Sequence, residues 1–299
     1  MKETIHHVKA STQYKREHKA DYGHEKIQIL YEDKDIAVIL KPSGMLSVPY
    51  PGSKARTALD VLEKIMRGRG DWAKNHKPFT VHRLDRDTSG VMMFALNEAV
   101  QHKIMANWHT MVTERLYHAV AENPRDPKKT LPDSGLIDDD LAQNARHVGY
   151  VPGEDDKAKT TAARTNYKVI ERGSTHTLFE LELDTGKKNQ IRAHLSNKGY
   201  PLAGDENYRA KTDPFHRLAL HARSLKFIHP VTGEKMRFDI PEPEEWLEYV
   251  KKGDRHPQTP VWFKKFKPEP QKNIPLQKTE SRKSLRHMNF IERGKHFSK

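Results

Sequence analysis

The chain has 299 residues, 35% of them hydrophobic and 31% charged, and a formal net charge of +13. The lack of cysteine excludes a disulfide framework and any thiolate metal site, and no apolar run approaches the length needed to cross a bilayer. A basic surplus favours polyanion partners, because Lys and Arg release condensed counterions when they neutralise phosphates.

Residues 1–26 carry Glu3, Glu17 and Asp21 and no apolar segment, which argues against a leader peptide and predicts a polar N-terminal extension of a soluble, cytoplasmic protein with monomer as the default. Apolar runs at 27–31 and 36–40, separated by Glu32-Asp33-Lys34-Asp35, predict paired strands about a turn. At 58–66, Leu59, Val61, Leu62, Ile65 and Met66 recur at helical spacing. A dense polar loop at 81–90 precedes a buried-strand candidate at 91–96, after which Asn97 could cap a helix running through Gln101 towards Trp108.

Runs at 165–170 and 177–183 flank Glu171-Arg172-Gly173-Ser174 as a hairpin. Residues 190–197 read as a short helix stopped by Gly199 and Pro201, 218–228 and 235–240 as a second hairpin, and 244–252 as a closing helix ended by Gly253. Strands dominate and the regular alternation of a doubly wound sheet is missing, so the class is mixed α+β.

Three segments follow: an extension at 1–26, a mixed α+β domain at 27–250 and a tail at 251–299. The tail holds 14 Lys/Arg against 4 Asp/Glu, a net of +10, and residues 1–23 add +2, which leaves the middle nearly neutral. Five prolines break the tail, and its basic side chains interleave with Trp262, Phe263, Phe266 and Phe290, a pattern that can track a phosphate backbone while the rings stack on bases.

The chemistry concentrates at His82-Arg83-Leu84-Asp85, followed by Thr88-Ser89-Gly90. From residue types alone, Asp85 and Asp87 read equally well as turn carboxylates. The segment resembles the HRLDxxTSG signature of the RluA-type pseudouridine synthases, and further pieces fall in that family's order. Lys41-Pro42-Ser43-Gly44 resembles its KPxG element, Arg115-Leu116-Tyr117-His118-Ala119 its tyrosine-bearing strand, Thr185-Gly186 with Gln190-Ile191-Arg192-Ala193-His194-Leu195 its late TG…QIRxHL motif, and Leu220-His221-Ala222 its LHA element. One departure stands out: Lys187 and Asn189 occupy places where the family has Arg and His, which bears on substrate contacts or local geometry.

The resemblance implies a mixed α+β domain with a largely antiparallel central sheet and a cleft across it, acting on uridines of structured RNA, ribosomal or transfer, with ribosomal RNA preferred. It implies Asp85 as the catalytic carboxylate, Arg192 as the cation facing it, and Tyr117 as the ring stacked on the target base and a candidate for handling the C5 proton. Arg83 would fill the stack vacated by a flipped nucleotide, Leu220 would floor the pocket, and His82, Thr88 and Gln190 would line the substrate site. The reaction is an isomerisation needing neither nicotinamide nor nucleoside triphosphate, and neither a Gly-x-Gly-x-x-Gly nor a P-loop sequence is present, so no cofactor is expected. The 18 histidines show no ligand spacing, so no metal is expected. Two readings compete: an inactive RNA-binding or ribosome-assembly factor on the same fold, and a nucleotide hydrolase. The family's frequent S4 domain would not fit in the first 26 residues, which gives the basic tail the part of supplying RNA affinity.

Overall fold

Residues 36–40 and 91–95 are apolar runs without polar alternation, a pattern that suits strands covered on both faces, and both strands are buried along their whole length. The computed structural model describes residues 4–7, as backbone, and 27–253. Its strands are β1 (Thr4–His7), β2 (Gln28–Glu32), β3 (Ile36–Lys41), β4 (Phe79–Thr80), β5 (Ser89–Ala95), β6 (Val112–Glu122), β7 (Ser134–Ile137), β8 (Ala142–Gln143), β9 (Gly149–Tyr150), β10 (Thr165–Arg172), β11 (His176–Leu183), β12 (Leu220–Ile228) and β13 (Lys235–Asp239). Its α-helices are α1 (Ala58–Arg69), α2 (Glu98–Ala106), α3 (Trp108–Met111), α4 (Gln190–Asn197) and α5 (Glu244–Lys252).

Eleven strands form one sheet in the order β2-β3-β5-β12-β6-β11-β10-β7, with β4 added to β5, β13 to β12 and β1 to β13. Pairing is antiparallel except between β5 and β12 and between β1 and β13, so the fold is the expected mixed α+β with a largely antiparallel sheet. Along β3 and β5, Ala37, Ile39, Met92 and Phe94 pack under Val61, Leu62 and Met66 of α1, while Val38, Leu40, Val91 and Met93 pack under Val100 and Ile104 of α2. Each such side chain contributes roughly 1.5–3 kcal/mol by leaving water. In the other half of the sheet, Ile191 and Leu195 of α4 cover Ala119, Phe179 and Leu220, and Trp246 and Val250 of α5 cover Val120, Leu178 and Ala219.

The two halves meet at the parallel β5–β12 junction, which is only two residue pairs long, His221 with Ser89 and Ala222 with Gly90. Gly90 has φ 125°, and a Cβ there would lie 2.2 Å from the Ala222 carbonyl oxygen. The junction therefore requires glycine, a physical reason for the Thr88-Ser89-Gly90 and Leu220-His221-Ala222 pieces to occur together. The loop bearing Asp85 enters β5 at this seam.

Helix ends follow local chemistry. Thr57 and Asp60 form a reciprocal capping box on α1, and Gly70 closes it at φ 81°. Asn97 caps α2 as expected, its side chain accepting from the Val100 amide at 2.9 Å, but the helix stops at Ala106 instead of reaching Trp108. Asn107 sits at φ −115° and α3 starts afresh after it, so the expected single helix is two pieces. Strand β7 and the separate β8–β9 hairpin were not expected, since their few residues are too short for periodicity to register.

Asp33, Asp35 and His229 converge within 4.8 Å, a spacing that could suit a cation. The polar atoms at the centre are already used: Asp33 accepts from the amides of Asp35 and Ile36, from the Tyr31 hydroxyl and from His229 Nε2, while His229 Nδ1 accepts from the amides of Val231 and Thr232. The cluster ties the β2–β3 turn to the β12–β13 turn. The expected N-terminal extension, apart from β1, and the tail from 254 onward lie outside the described residues. No helix among the described residues is long and apolar enough to cross a membrane.

Candidate active site

Asp85 lies on a loop whose backbone is held by the segment following β3. Ser47 donates to the Leu84 carbonyl at 2.7 Å and accepts the Leu84 amide at 3.1 Å. Ser43 donates to the Asp87 carbonyl at 2.7 Å, and Lys41 Nζ donates to the Arg86 carbonyl at 2.9 Å. Lys41 also reaches the carbonyls of Pro42 and Met45, at 2.9 and 2.7 Å, so its three N–H groups find three acceptors. The Lys-Pro-Ser-Gly piece is thus a clamp on the loop bearing Asp85, and the Thr88 amide closes the turn onto the Asp85 carbonyl at 3.2 Å.

Burial pushes the Lys41 ammonium down to about 7; the carboxylates of Asp87 and Asp85 oppose the shift and Arg217 adds to it. The unfolded chain keeps a proton on Lys41 up to its ordinary value of 10.5, so between about pH 7 and 10.5 the unfolded state binds the extra proton and Lys41 makes stability rise with pH. Urea unfolding of wild type and Lys41→Met from pH 6 to 9 should show the difference moving in favour of the wild type above pH 7, by at most about 1.4 kcal/mol per pH unit. A difference that is flat with pH would remove the buried ammonium from the account.

The Asp85 carboxylate touches the start of α4. Its Oδ2 accepts from Asn189 Nδ2 at 2.6 Å and from Arg192 Nη1 at 3.4 Å, while Oδ1 has no partner among the described residues. Arg192 is 5% exposed and is held on its far side by Asp205, with Nε and Nη2 donating to the two carboxylate oxygens at 2.7 and 2.8 Å. Burial works against the Arg192 charge, but the Asp205 hydrogen bonds and charge outweigh it and hold the guanidinium above its ordinary value. One cation thus bridges a buried carboxylate that fixes it and a second carboxylate at the cavity wall.

All eight expected residues border one cavity of about 870 Å³, which also includes Trp108, Arg115, Lys187 and Asn189. They do not all offer polar atoms to it. Gln190 spends its amide inside the protein, accepting from the Thr185 hydroxyl and the Lys187 amide and donating to Arg164 and Thr165, so it braces the Thr185-Gly186 turn. His82 Nε2 accepts the Met93 amide at 2.9 Å, and burial, with Arg115 nearby, pushes its ionisation down to about 3; it is a neutral ring packed on Trp108. Thr88 is buried, and Leu220 is an apolar patch of the cavity wall. Arg83 is exposed and has no hydrogen bond or ion pair among the described residues.

Tyr117 packs against apolar clusters from both halves of the sheet and lines the same cavity as Asp85. Burial pushes its phenol up to about 12, with Arg115 opposing and Asp85 adding to the shift. The hydroxyl is protonated at neutral pH, which suits a ring that stacks and a hydroxyl that donates.

Asp205 and Tyr208 were not singled out from the sequence, and Arg115 entered only as part of the tyrosine-bearing strand piece, with no role of its own. Tyr208 lies against the Arg192 guanidinium, 5.2 Å from ring centroid to Cζ, and Arg115 holds the carbonyl of Leu183 at 2.6 Å beside the cavity. The available signal was Gly204-Asp205-x-x-Tyr208, in which Asp205 caps the 206–208 turn.

Residues 35–197 match the RNA pseudouridylate synthase family. The chain is 34% identical over 231 residues to an uncharacterized RNA pseudouridine synthase, YlyB, of Bacillus subtilis, covering 75% of this chain and 72% of that protein. It is 32% identical over 246 residues to the ribosomal large subunit pseudouridine synthase D of Pseudomonas aeruginosa, covering 77% and 73%. Among solved structures, human RNA pseudouridylate synthase domain containing 4 superposes with a TM-score of 0.58 at 22% identity, over 80% of this chain and 94% of that one, a likeness of fold.

Proposed function

The chain belongs to the RNA pseudouridylate synthase family and is an RNA pseudouridine synthase, and from that premise we propose that it isomerises a uridine of ribosomal RNA with Asp85 as its catalytic carboxylate. The carrying observation is the state of that carboxylate: Oδ2 is tied to Asn189 and Arg192, and Oδ1 is left for a substrate in the cavity. Relatives named for the large ribosomal subunit support the choice of ribosomal RNA.

The N1–C1′ bond breaks, the base turns, C5 joins C1′, and the C5 proton is lost as N1 gains one, so atoms balance without a co-reactant. A carboxylate can attack C1′ or take a proton from the sugar, and either draws on Asp85 Oδ1. A base within folded RNA must first be extruded, at a cost of a few kcal/mol. Arg83, exposed beside the loop, is suited to fill the gap, Tyr117 to stack on the base, and Leu220 to wall the pocket.

Pseudouridine mapping of total RNA from cells with the gene intact, deleted or carrying Asp85→Ala tests the reading. One ribosomal RNA site should vanish in both altered strains. Survival of every site, or loss confined to transfer RNA, would overturn the substrate proposed.

The basic tail is proposed as an RNA-affinity element. Because α5 runs through Lys252, truncation belongs after Gly253, removing a net charge of +8. The shortened protein should bind RNA more weakly and with a shallower dependence of log K on log salt. An unchanged slope assigns RNA contact to the folded part alone.

A further inference from the structure

The shortest hydrogen bond to Asp85 comes from a neutral amide and not from the cation: Asn189 Nδ2 lies 2.6 Å from Oδ2, against 3.4 Å for Arg192 Nη1. Asn189 suits its place for backbone reasons as well. It precedes α4 at φ 57°, the left-handed region that Asn tolerates better than most side chains. Its amide is oriented from both ends, because Oδ1 accepts the Gly149 N–H at 3.3 Å and so turns Nδ2 to the carboxylate.

Gly149, at the start of β9, is itself fixed. Its carbonyl accepts the Tyr208 hydroxyl, and a Cβ there would lie 2.4 Å from the Lys188 carbonyl oxygen, so only glycine allows the approach. Tyr208 in turn lies against Arg192. Asp85, Asn189, Gly149, Tyr208 and Arg192 thus form a closed ring of contacts through four separate chain segments.

We propose that Asn189 is the positioning residue for the catalytic carboxylate, holding Oδ2 so that Oδ1 faces the substrate, and doing so independently of pH because an amide does not titrate. The proposal rests on Asp85 being the catalytic carboxylate. Arg192 cannot do this alone, since its Nε and Nη2 are committed to Asp205 and its remaining bond to Asp85 is long.

The test compares wild type with Asn189→Gly, Asn189→His and Asn189→Asp, following tritium release from a large-subunit ribosomal RNA transcript labelled at uridine C5. Glycine keeps the left-handed backbone without strain, so its effect reports the side chain. Asn189→Gly should lower kcat by about 10–100-fold, the worth of one hydrogen bond to a charged group, with KM within about twofold. Asn189→His should recover much of kcat but add an ionisation near the ordinary His value of about 6.5. Asn189→Asp should be slowest at neutral pH and recover as the pH falls, because one of two adjacent carboxylates then takes a proton.

A purely structural role predicts equal losses at every pH and a KM that moves with kcat. Those results, or an Asn189→Gly kcat within twofold of wild type, would overturn the proposal. The contact also has a readout without turnover. In protein labelled with 15N-asparagine, the Asn189 side-chain amide proton should be shifted downfield and protected from exchange, and should lose both properties in Asp85→Ala. Identical signals in the two proteins sink the proposal. A wild type that keeps the signal but releases no tritium from any RNA leaves the contact standing and puts the assignment of Asp85 and its substrate at fault.

Discussion

Asp85→Asn should slow uridine conversion by about four orders of magnitude or more while leaving the protein folded and bound to RNA. The loss is large because a nucleophile or base acts as a unit with its supports, and removing it abolishes nearly all that the unit provides. Folding should survive because the substitution is isosteric and Asp85 is not what neutralises Arg192. The buried Asp205 does that through two bonds of 2.7 and 2.8 Å, whereas Asp85 contributes one of 3.4 Å from a side chain 21% exposed. An Asn oxygen at the Oδ2 position can still accept from Asn189 and Arg192, so the loop keeps its shape.

Binding should hold or tighten, since a negative charge has been deleted from a cavity that receives a polyanion. Single-turnover rates with excess enzyme, thermal unfolding and RNA filter binding separate these quantities. Turnover within tenfold of wild type would remove Asp85 from the chemistry. A protein that fails to bind RNA would mean that the carboxylate organises the site instead of reacting in it.

Elements with strong apolar periodicity were legible from the sequence: the paired strands near 28 and 36, the buried strand β5, and helices α4 and α5, whose bounds fall where Gly199, Pro201 and Gly253 place them. Asp85, Tyr117 and Arg192 came from resemblance, and the structure brings them to one cavity. What stayed hidden depends on partners distant in the chain. Asn189 bonds Asp85 across 104 positions, and Lys41 reaches Arg86 across 45, so neither role leaves a local pattern. Gln190 is the opposite case. It sits inside a recognisable motif, yet its amide is spent on the neighbouring turn, because a helix start beside a tight turn has orphan groups of its own to satisfy.

Asp205→Ala should destabilise the protein by about 3–5 kcal/mol and cripple catalysis, although Asp205 is wholly buried and lies outside the cavity lining. The stability loss follows from charge accounting: Arg192 is left in the interior with only the longer contact to Asp85, and an unpaired buried charge is among the costliest changes a core can suffer. The 206–208 turn also loses its cap. For a chain of this size the expected fall in melting temperature is about 10 °C or more. Removing both partners tests the cause. Arg192→Met with Asp205→Leu replaces the ion pair by apolar groups of similar bulk, which usually restores most of the stability. It cannot restore the rate, because Asp85 no longer faces a cation. The double variant should therefore melt well above Asp205→Ala yet convert uridine no faster. Recovery of both properties would make Arg192 a packing residue, whereas recovery of neither would mean that the pair builds the start of α4 and hence the place of Asn189.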